Sequence, residues 1–470
     1  MNFKGISFYL SLFCFPISIL AFINILYASY FNYFLSINTY FITLIISFLI
    51  GTSLFYYGKN SKKTINFFEQ LILVLASYII ISLLVALPFY LSNYQVTFLN
   101  SIFESISGLT GTGFSIFKNV KYLDPTLILW RSSSQWIGGL YFLIFLIIIF
   151  SNKTFNYKMT DLVYSGDSSF KSEENIKQNI TKIVIIYAVL SFIIFTLLNI
   201  SGIRLFNSLN MSMTLLSGGG FLPTNDIKQI ISTNFQKMIF FLSLFISMLN
   251  LFLLFNLFNK KNLLNGHKED LYLIIFLIFL FVLISFNDYS AFHLIISILS
   301  SLANSGLTLL EQGNNLSLYF LLITIIGGSL ISNTSGIKLI RFYILLKITS
   351  SEILKLISPN SIVNKTIFGS DRKISDDNVR ISFLIFISFF LSLLILSSFL
   401  VVDNISFEKS FKLTILTLTN TVNSEMYNMR DINFINLLTS SKLSIIFFMI
   451  VGKIELISIF LIFKRVIFKD

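Results

Sequence analysis

Ten apolar runs constrain this chain more than any other feature. They fall at about 6–28, 37–57, 67–91, 126–150, 180–200, 234–258, 270–286, 316–346, 379–402 and 441–463. A helix rising about 1.5 Å per residue needs some twenty such residues to cross a ~30 Å hydrocarbon core. With 55% hydrophobic and only 12% charged residues, against about 25% charged in soluble domains, the chain reads as an all-α polytopic membrane protein.

Between particular pairs of runs lie four segments too short to cross: 98–115, 204–222, 289–308 and 407–424. Each joins a helix-length amphipathic piece to an end rich in small residues or Asn. Aligned by that pattern, the ends read Thr110-Gly111-Thr112-Gly113-Phe114, Ser217-Gly218-Gly219-Gly220-Phe221, Ala303-Asn304-Ser305-Gly306-Leu307 and Asn420-Thr421-Val422-Asn423-Ser424. A half-spanning helix followed by irregular backbone is tolerated at membrane depth only where it is buried in protein or lines a water-filled cavity. The order span, short segment, span recurs four times, which predicts four membrane helix–pore loop–membrane helix repeats around a central pore, preceded by two extra transmembrane helices. The expected units are 1–66 for the two leading helices, then 67–165, 166–265, 266–360 and 361–470 for the repeats.

Charge sets orientation and excludes other classes. The net charge of +12 comes from 34 Lys and Arg. With the N-terminus inside, most of them fall in cytoplasmic segments: Lys4, Lys59, Lys62, Lys63, the 151–182 and 259–268 linkers, 338–380 and the C-terminal Lys464-Arg465. All four short segments then lie outside. No basic cluster interleaved with aromatics points to nucleic acid. The run from Ile6 to Ala28 is a better spanning helix than a signal peptide. One Cys, Cys14, excludes an intrachain disulfide, and His267 and His293 are too far apart for a helical metal pair. No motif for phosphate-loop, metalloprotease or dinucleotide chemistry is present, and no catalytic constellation points to an enzyme.

Four short helices whose C-terminal dipoles converge create a negative focus suited to a dehydrated cation, with backbone carbonyls replacing its hydration shell. Glycine lets successive carbonyls face one axis, although a membrane glycine also serves simple close packing. The run 316–346 is interrupted by Gly327-Gly328-Ser329 and Asn333-Thr334-Ser335-Gly336, which reads as an intramembrane gating loop or, alternatively, a kinked packing helix. Lys453, after Gly452 and two residues before Glu455, is an intramembrane charge that faces the pore as an electrostatic barrier, or pairs with a neighbouring helix or snorkels. Arg131 is expected to bond loop carbonyls near the outer face. Glu104 either enriches cations at the mouth or is the buried partner of a base.

The motifs SGLTGTGFS (107–115), WRSSSQWIGG (130–139), SGGGF (217–221), GGSLISNTSGIKLIR (327–341) and MIVGKIE (449–455) resemble the TrkH branch of the TrkH/KtrB/HKT superfamily of cation translocating subunits. The resemblance covers nearly the whole chain. It implies K⁺ uptake at a bacterial plasma (inner) membrane, both termini cytoplasmic, no bound cofactor, a homodimer in membrane lipid, and a cytosolic nucleotide-binding regulatory ring. It further implies a filter in which K⁺ meets Thr110, Gly111, Thr112, Gly113, Ser217, Gly218, Gly219, Gly220, Asn304, Ser305, Gly306, Thr421, Val422 and Asn423. Gating would fall to Gly327, Gly328, Asn333, Gly336 and Lys453. Two departures stand out. Asn423 replaces the expected fourth glycine, which leaves relaxed Na⁺/K⁺ permeation or ion-coupled symport as the alternative function. In the loop, Leu330, Ile331 and Asn333 to Ser335 replace much of a small, Gly-rich run.

Overall fold

The computed structural model describes every residue except 62–64, 151–172, 259–267, 287–288, 311–314, 359–365, 368–372 and 455–470. His267, Glu455, Lys464, Arg465 and most of the expected linkers at 151–182 and 259–268 therefore lie outside the described residues. Among the described residues the chain is helical, and six helices are long and apolar enough to cross a membrane.

Two leading helices, α1 (Phe3–Tyr30) and α2 (Phe34–Gly58), form an antiparallel hairpin. Gly58 packs on the backbone of Lys4 and Phe8, and Gly51 on Phe15, so small residues set the close approach. The first repeat follows as α3 (Phe67–Tyr90), the half-helix α4 (Phe98–Thr110) and α5 (Pro125–Phe150). Glu69 ties it to the hairpin by accepting the backbone N–H groups of Asn66 at 2.8 Å and Asn2 at 2.5 Å. One carboxylate thus serves the positive ends of two helices. The second repeat comprises α6 (Glu173–Ile200), the half-helix α7 (Leu205–Leu216), then α8 (Asn234–Met248) and α9 (Leu251–Phe258).

The third comprises α10 (Lys268–Ile284), the half-helix α11 (Ala291–Leu302), α12 (Ser317–Ile326) and α13 (Leu339–Ile357). The fourth comprises α14 (Asp376–Val401), the half-helix α15 (Phe407–Leu418) and α16 (Thr439–Ile454). Half-helices of 12 or 13 residues reach about 18–20 Å, too short to cross.

Several hydroxyls within the spans are satisfied locally. Ser11, Thr43, Ser77 and Ser382 donate to carbonyls three or four residues back, the expected behaviour of hydroxyls in apolar helices. The outward faces carry Ile19, Phe22, Phe48, Leu49, Phe192, Phe383 and Leu394, all exposed, an apolar perimeter that only lipid or another apolar surface covers. The molecule is a multi-pass membrane protein.

Two expected spans are broken. The run 316–346 is interrupted from 327 to 338, as its Gly and Asn residues predicted. The run 234–258, read as one span, breaks at Leu249 and Asn250. The second break answers the first: Met248 O accepts Ser329 N at 3.1 Å and Ile331 O accepts Leu251 N at 3.0 Å. Carbonyls and N–H groups freed in one helix are paired with those freed in the other, the condition for irregular backbone at membrane depth.

Candidate cation pathway

Each half-helix ends in the same way. Gly111, Gly218, Asn304 and Asn420 follow α4, α7, α11 and α15 with positive φ, and each N–H donates three residues back, to Gly108, Leu215, Ser301 and Thr417. This left-handed stop is open to glycine and, among other residues, best to asparagine. It also fixes the register of the four ends. Thr112, Gly219, Ser305 and Thr421 come next, followed by Gly113, Gly220, Gly306 and Val422.

A second contact gives the same register. Gly138 of α5 packs on the carbonyl of Leu109, and Gly452 of α16 packs on the carbonyl of Leu418, one residue before equivalent threonines. The sequence alignment set the fourth segment one residue too far along. Val422, not Asn423, occupies the position of the three glycines. Asn423 lies one residue further, where its side-chain amide donates to Met429 O at 3.2 Å.

The four ends meet in a closed cycle. A methyl placed on Gly113 would stand 2.9 Å from Gly220 Cα, joining the first and second ends, and one on Gly218 would stand 3.1 Å from Ala303 O, joining the second and third. Asn304 Nδ2 donates to Thr421 Oγ1 at 3.3 Å, joining the third and fourth. Asn420 Nδ2 donates to Thr112 Oγ1 at 3.0 Å, joining the fourth to the first. Thr110, Thr112, Ser217, Ser305 and Thr421 are all buried, with hydroxyls paired within the ring or to their own helices. Gly219 sits against Gln135, whose Oε1 accepts Phe221 N at 3.1 Å.

On one side the ring opens into a cavity of about 430 Å³ lined by residues that follow all four half-helices, among them Gly113, Gly220, Leu307 and Val422. Its wall is pinned by the buried pair Arg131 and Glu104, 2.8 Å apart. Glu104 also accepts Ile116 N at 2.8 Å and Ser115 Oγ at 3.0 Å, while Arg131 donates to Ser115 Oγ at 2.9 Å and lies 4.1 Å from the Phe221 ring centroid. The sequence reading expected Arg131 on loop carbonyls. It grips a carboxylate, a hydroxyl and a ring instead, because Glu104, nearly two turns back from the end of α4, is within reach.

On the other side the 327–338 loop lies directly beneath the ring. Asn333 Nδ2 donates to Leu216 O at 2.8 Å, Asn304 Oδ1 accepts Ser335 N at 3.1 Å, and Asn420 Oδ1 accepts Ser335 Oγ at 3.0 Å. Gly327 and Gly336 take positive φ, and Gly336 lies against the carbonyls of Thr324 and Ile325. Gly328 lies between Met248 O and Thr334. Lys453, buried, donates to Asn333 O at 2.8 Å and stands 4.5 Å from the Phe142 ring centroid. Among the described residues it forms no ion pair.

Residues outside the sequence-based set hold this loop. Glu269 accepts Leu330 N at 2.8 Å and Asp270 accepts Asn250 N at 2.9 Å, so two adjacent carboxylates at the start of α10 anchor the loop and the break between α8 and α9. Lys338 donates to Ser329 O, Thr334 O and Thr334 Oγ1 at 3.2, 2.5 and 2.9 Å. Lys338 and Arg341, counted in the sequence among the cytoplasmic basic residues, are buried. The signal available in sequence was the acid pair opening an apolar run, where a span would otherwise begin with neutral residues.

Known proteins resemble this chain in sequence and in fold. A family model for TrkH, described as a cation transport protein, matches residues 36–264. An uncharacterized cation transporter of Methanocaldococcus jannaschii is 28% identical over 319 residues, 65% of this chain and 64% of that protein. The Trk system potassium uptake protein TrkG of Escherichia coli is 24% identical over 78% of this chain and 79% of its own. The crystal structure of the potassium transporter TrkH from Vibrio parahaemolyticus matches with a TM-score of 0.85 over 98% of both chains, at 19% identity, a likeness of fold. These relatives are transporters rather than enzymes. Motifs, relatives and fold agree in placing this chain's likeness with the TrkH family of cation transport proteins, whose model matches residues 36–264.

Proposed function

We propose that the chain carries K⁺ into the cell across the plasma membrane, down the membrane potential, through the ring formed by the four half-helix ends. The closed cycle of those ends carries this reading. Four helix C-termini converge there, each contributing partial negative charge, and the backbone that follows supplies carbonyls to replace a hydration shell. Thr110 to Gly113, Ser217 to Gly220, Asn304 to Gly306 and Thr421 to Asn423 form the filter in this reading, with K⁺ as the transported ion and no bound cofactor.

The 327–338 loop is the gate. Its contacts with three of the four ends support that role, and its paired backbone lets it hold one defined position while the ring stays filled with water or ions. Lys453 places a positive charge beside the loop and limits cation occupancy below the ring. The bias of Lys and Arg puts the cavity outside and both termini in the cytoplasm, in repeats bounded near 67, 166, 266 and 361. The exposed apolar faces are met by lipid and by a second copy in a homodimer. A cytosolic nucleotide-binding ring contacts the cytoplasmic side and moves the gate.

Growth of a K⁺-uptake-deficient bacterial strain at low K⁺ tests the assignment. Rescue by the chain together with its regulatory subunit is expected. Failure to rescue, with Na⁺ influx in its place, would replace K⁺ by Na⁺ as the ion.

A further inference from the structure

Val422 stands where the other three ends have glycine, and its side chain lies inside the ring. A methyl built on Gly220 would overlap Val422 Cβ and stand 2.9 and 3.0 Å from its two methyl carbons. A methyl on Gly306 would meet Val422 Cγ1 at 2.9 Å. The second and fourth ends are diagonal in the cycle, so the isopropyl group reaches across the ring instead of turning out into the surrounding helices. Val422 O already accepts Ser424 N at 3.0 Å, so the fourth quadrant brings an apolar wedge and a carbonyl engaged by its own backbone.

The geometry points to Val422 as the residue that sets ion preference in this chain, by narrowing the ring and lowering the number of ligands at its level. This rests on the ring being the cation path. A larger ion needs a wider opening and more oxygen ligands, so the wedge lowers passage of K⁺ relative to Na⁺, whether size or ligand number governs selection. A β-branched side chain has few rotamers to escape into, so the effect is built into the resting structure.

The experiment is uptake of K⁺ and of Na⁺, each alone, into liposomes holding the purified full chain under an inside-negative potential. Wild type is compared with Val422→Ala, Val422→Gly and Val422→Thr. The K⁺ to Na⁺ uptake ratio is expected to rise with each methyl lost, by roughly tenfold in Val422→Gly. Val422→Thr, which keeps the shape, is expected to remain near wild type. Equal ratios in wild type, Val422→Ala and Val422→Gly would overturn the inference while leaving the cation path standing. A shift confined to Val422→Thr would overturn it in favour of side-chain polarity. Failure of every form, folded by size-exclusion chromatography, to pass either ion would overturn the path itself and the inference with it.

Discussion

At the scale of single residues, the ring depends on positions where backbone geometry leaves little choice. Gly113 has φ near +78° and lies within 2.9 Å of Gly220 Cα once a Cβ is added. Gly113→Asp is expected to abolish uptake at normal expression, because it adds strain, bulk and a fixed charge at the narrowest level. Normal uptake by that variant would remove Gly113 from the path. Arg131 and Glu104 support the ring from behind. Arg131→Ala leaves a buried carboxylate without its partner and Glu104→Gln a buried guanidinium, each a loss of about 3–5 kcal/mol, and each should lower the unfolding temperature in detergent. Asn420 was quoted in the sequence alignment but given no role, and it bonds Thr112, Met449 and Ser335. Its part was hidden because an asparagine among many reads as composition, and only its φ of 50° shows it doing the work of Gly111 and Gly218.

At the scale of elements, the half-helices and their spans were legible because length and apolarity are direct consequences of membrane thickness. The fourth end was misread by one residue because it contains no glycine to anchor the alignment, and the helix stop is made by asparagine. The break between α8 and α9 was not legible either: Leu249 and Asn250 look unremarkable alone, and the cause lies some eighty residues on, in the loop that pairs with the exposed backbone. That loop makes two tests possible. Glu269→Ala removes the acceptor of Leu330 N and should raise uptake measured without any regulatory subunit, whereas unchanged uptake would reduce the contact to packing. Lys453→Ala removes both a charge and the tether to Asn333 O, and should also raise uptake. Unchanged or reduced uptake would assign Lys453 to holding the helices rather than to the barrier.

At the scale of the whole molecule, four unequal repeats build one ring because each contributes the same left-handed stop and then meets its neighbour, through close-packed glycine backbone at the first two ends and through asparagine side chains at the last two. The repeats have diverged most where their tasks differ. The first carries the Arg131 and Glu104 pair, the third carries the loop, and the fourth carries Val422 and Lys453. The TrkH-like fold was readable from the order of elements and from a handful of motifs. The closure of the ring was not, since it rests on contacts such as Asn420 to Thr112, more than three hundred residues apart. The central claim is that cations pass through that ring under the control of the loop below it. Potential-driven K⁺ uptake into liposomes containing purified wild type or Gly113→Asp tests it most directly. Uptake by wild type that collapses in the folded variant is the predicted result, and equal uptake by both would contradict it.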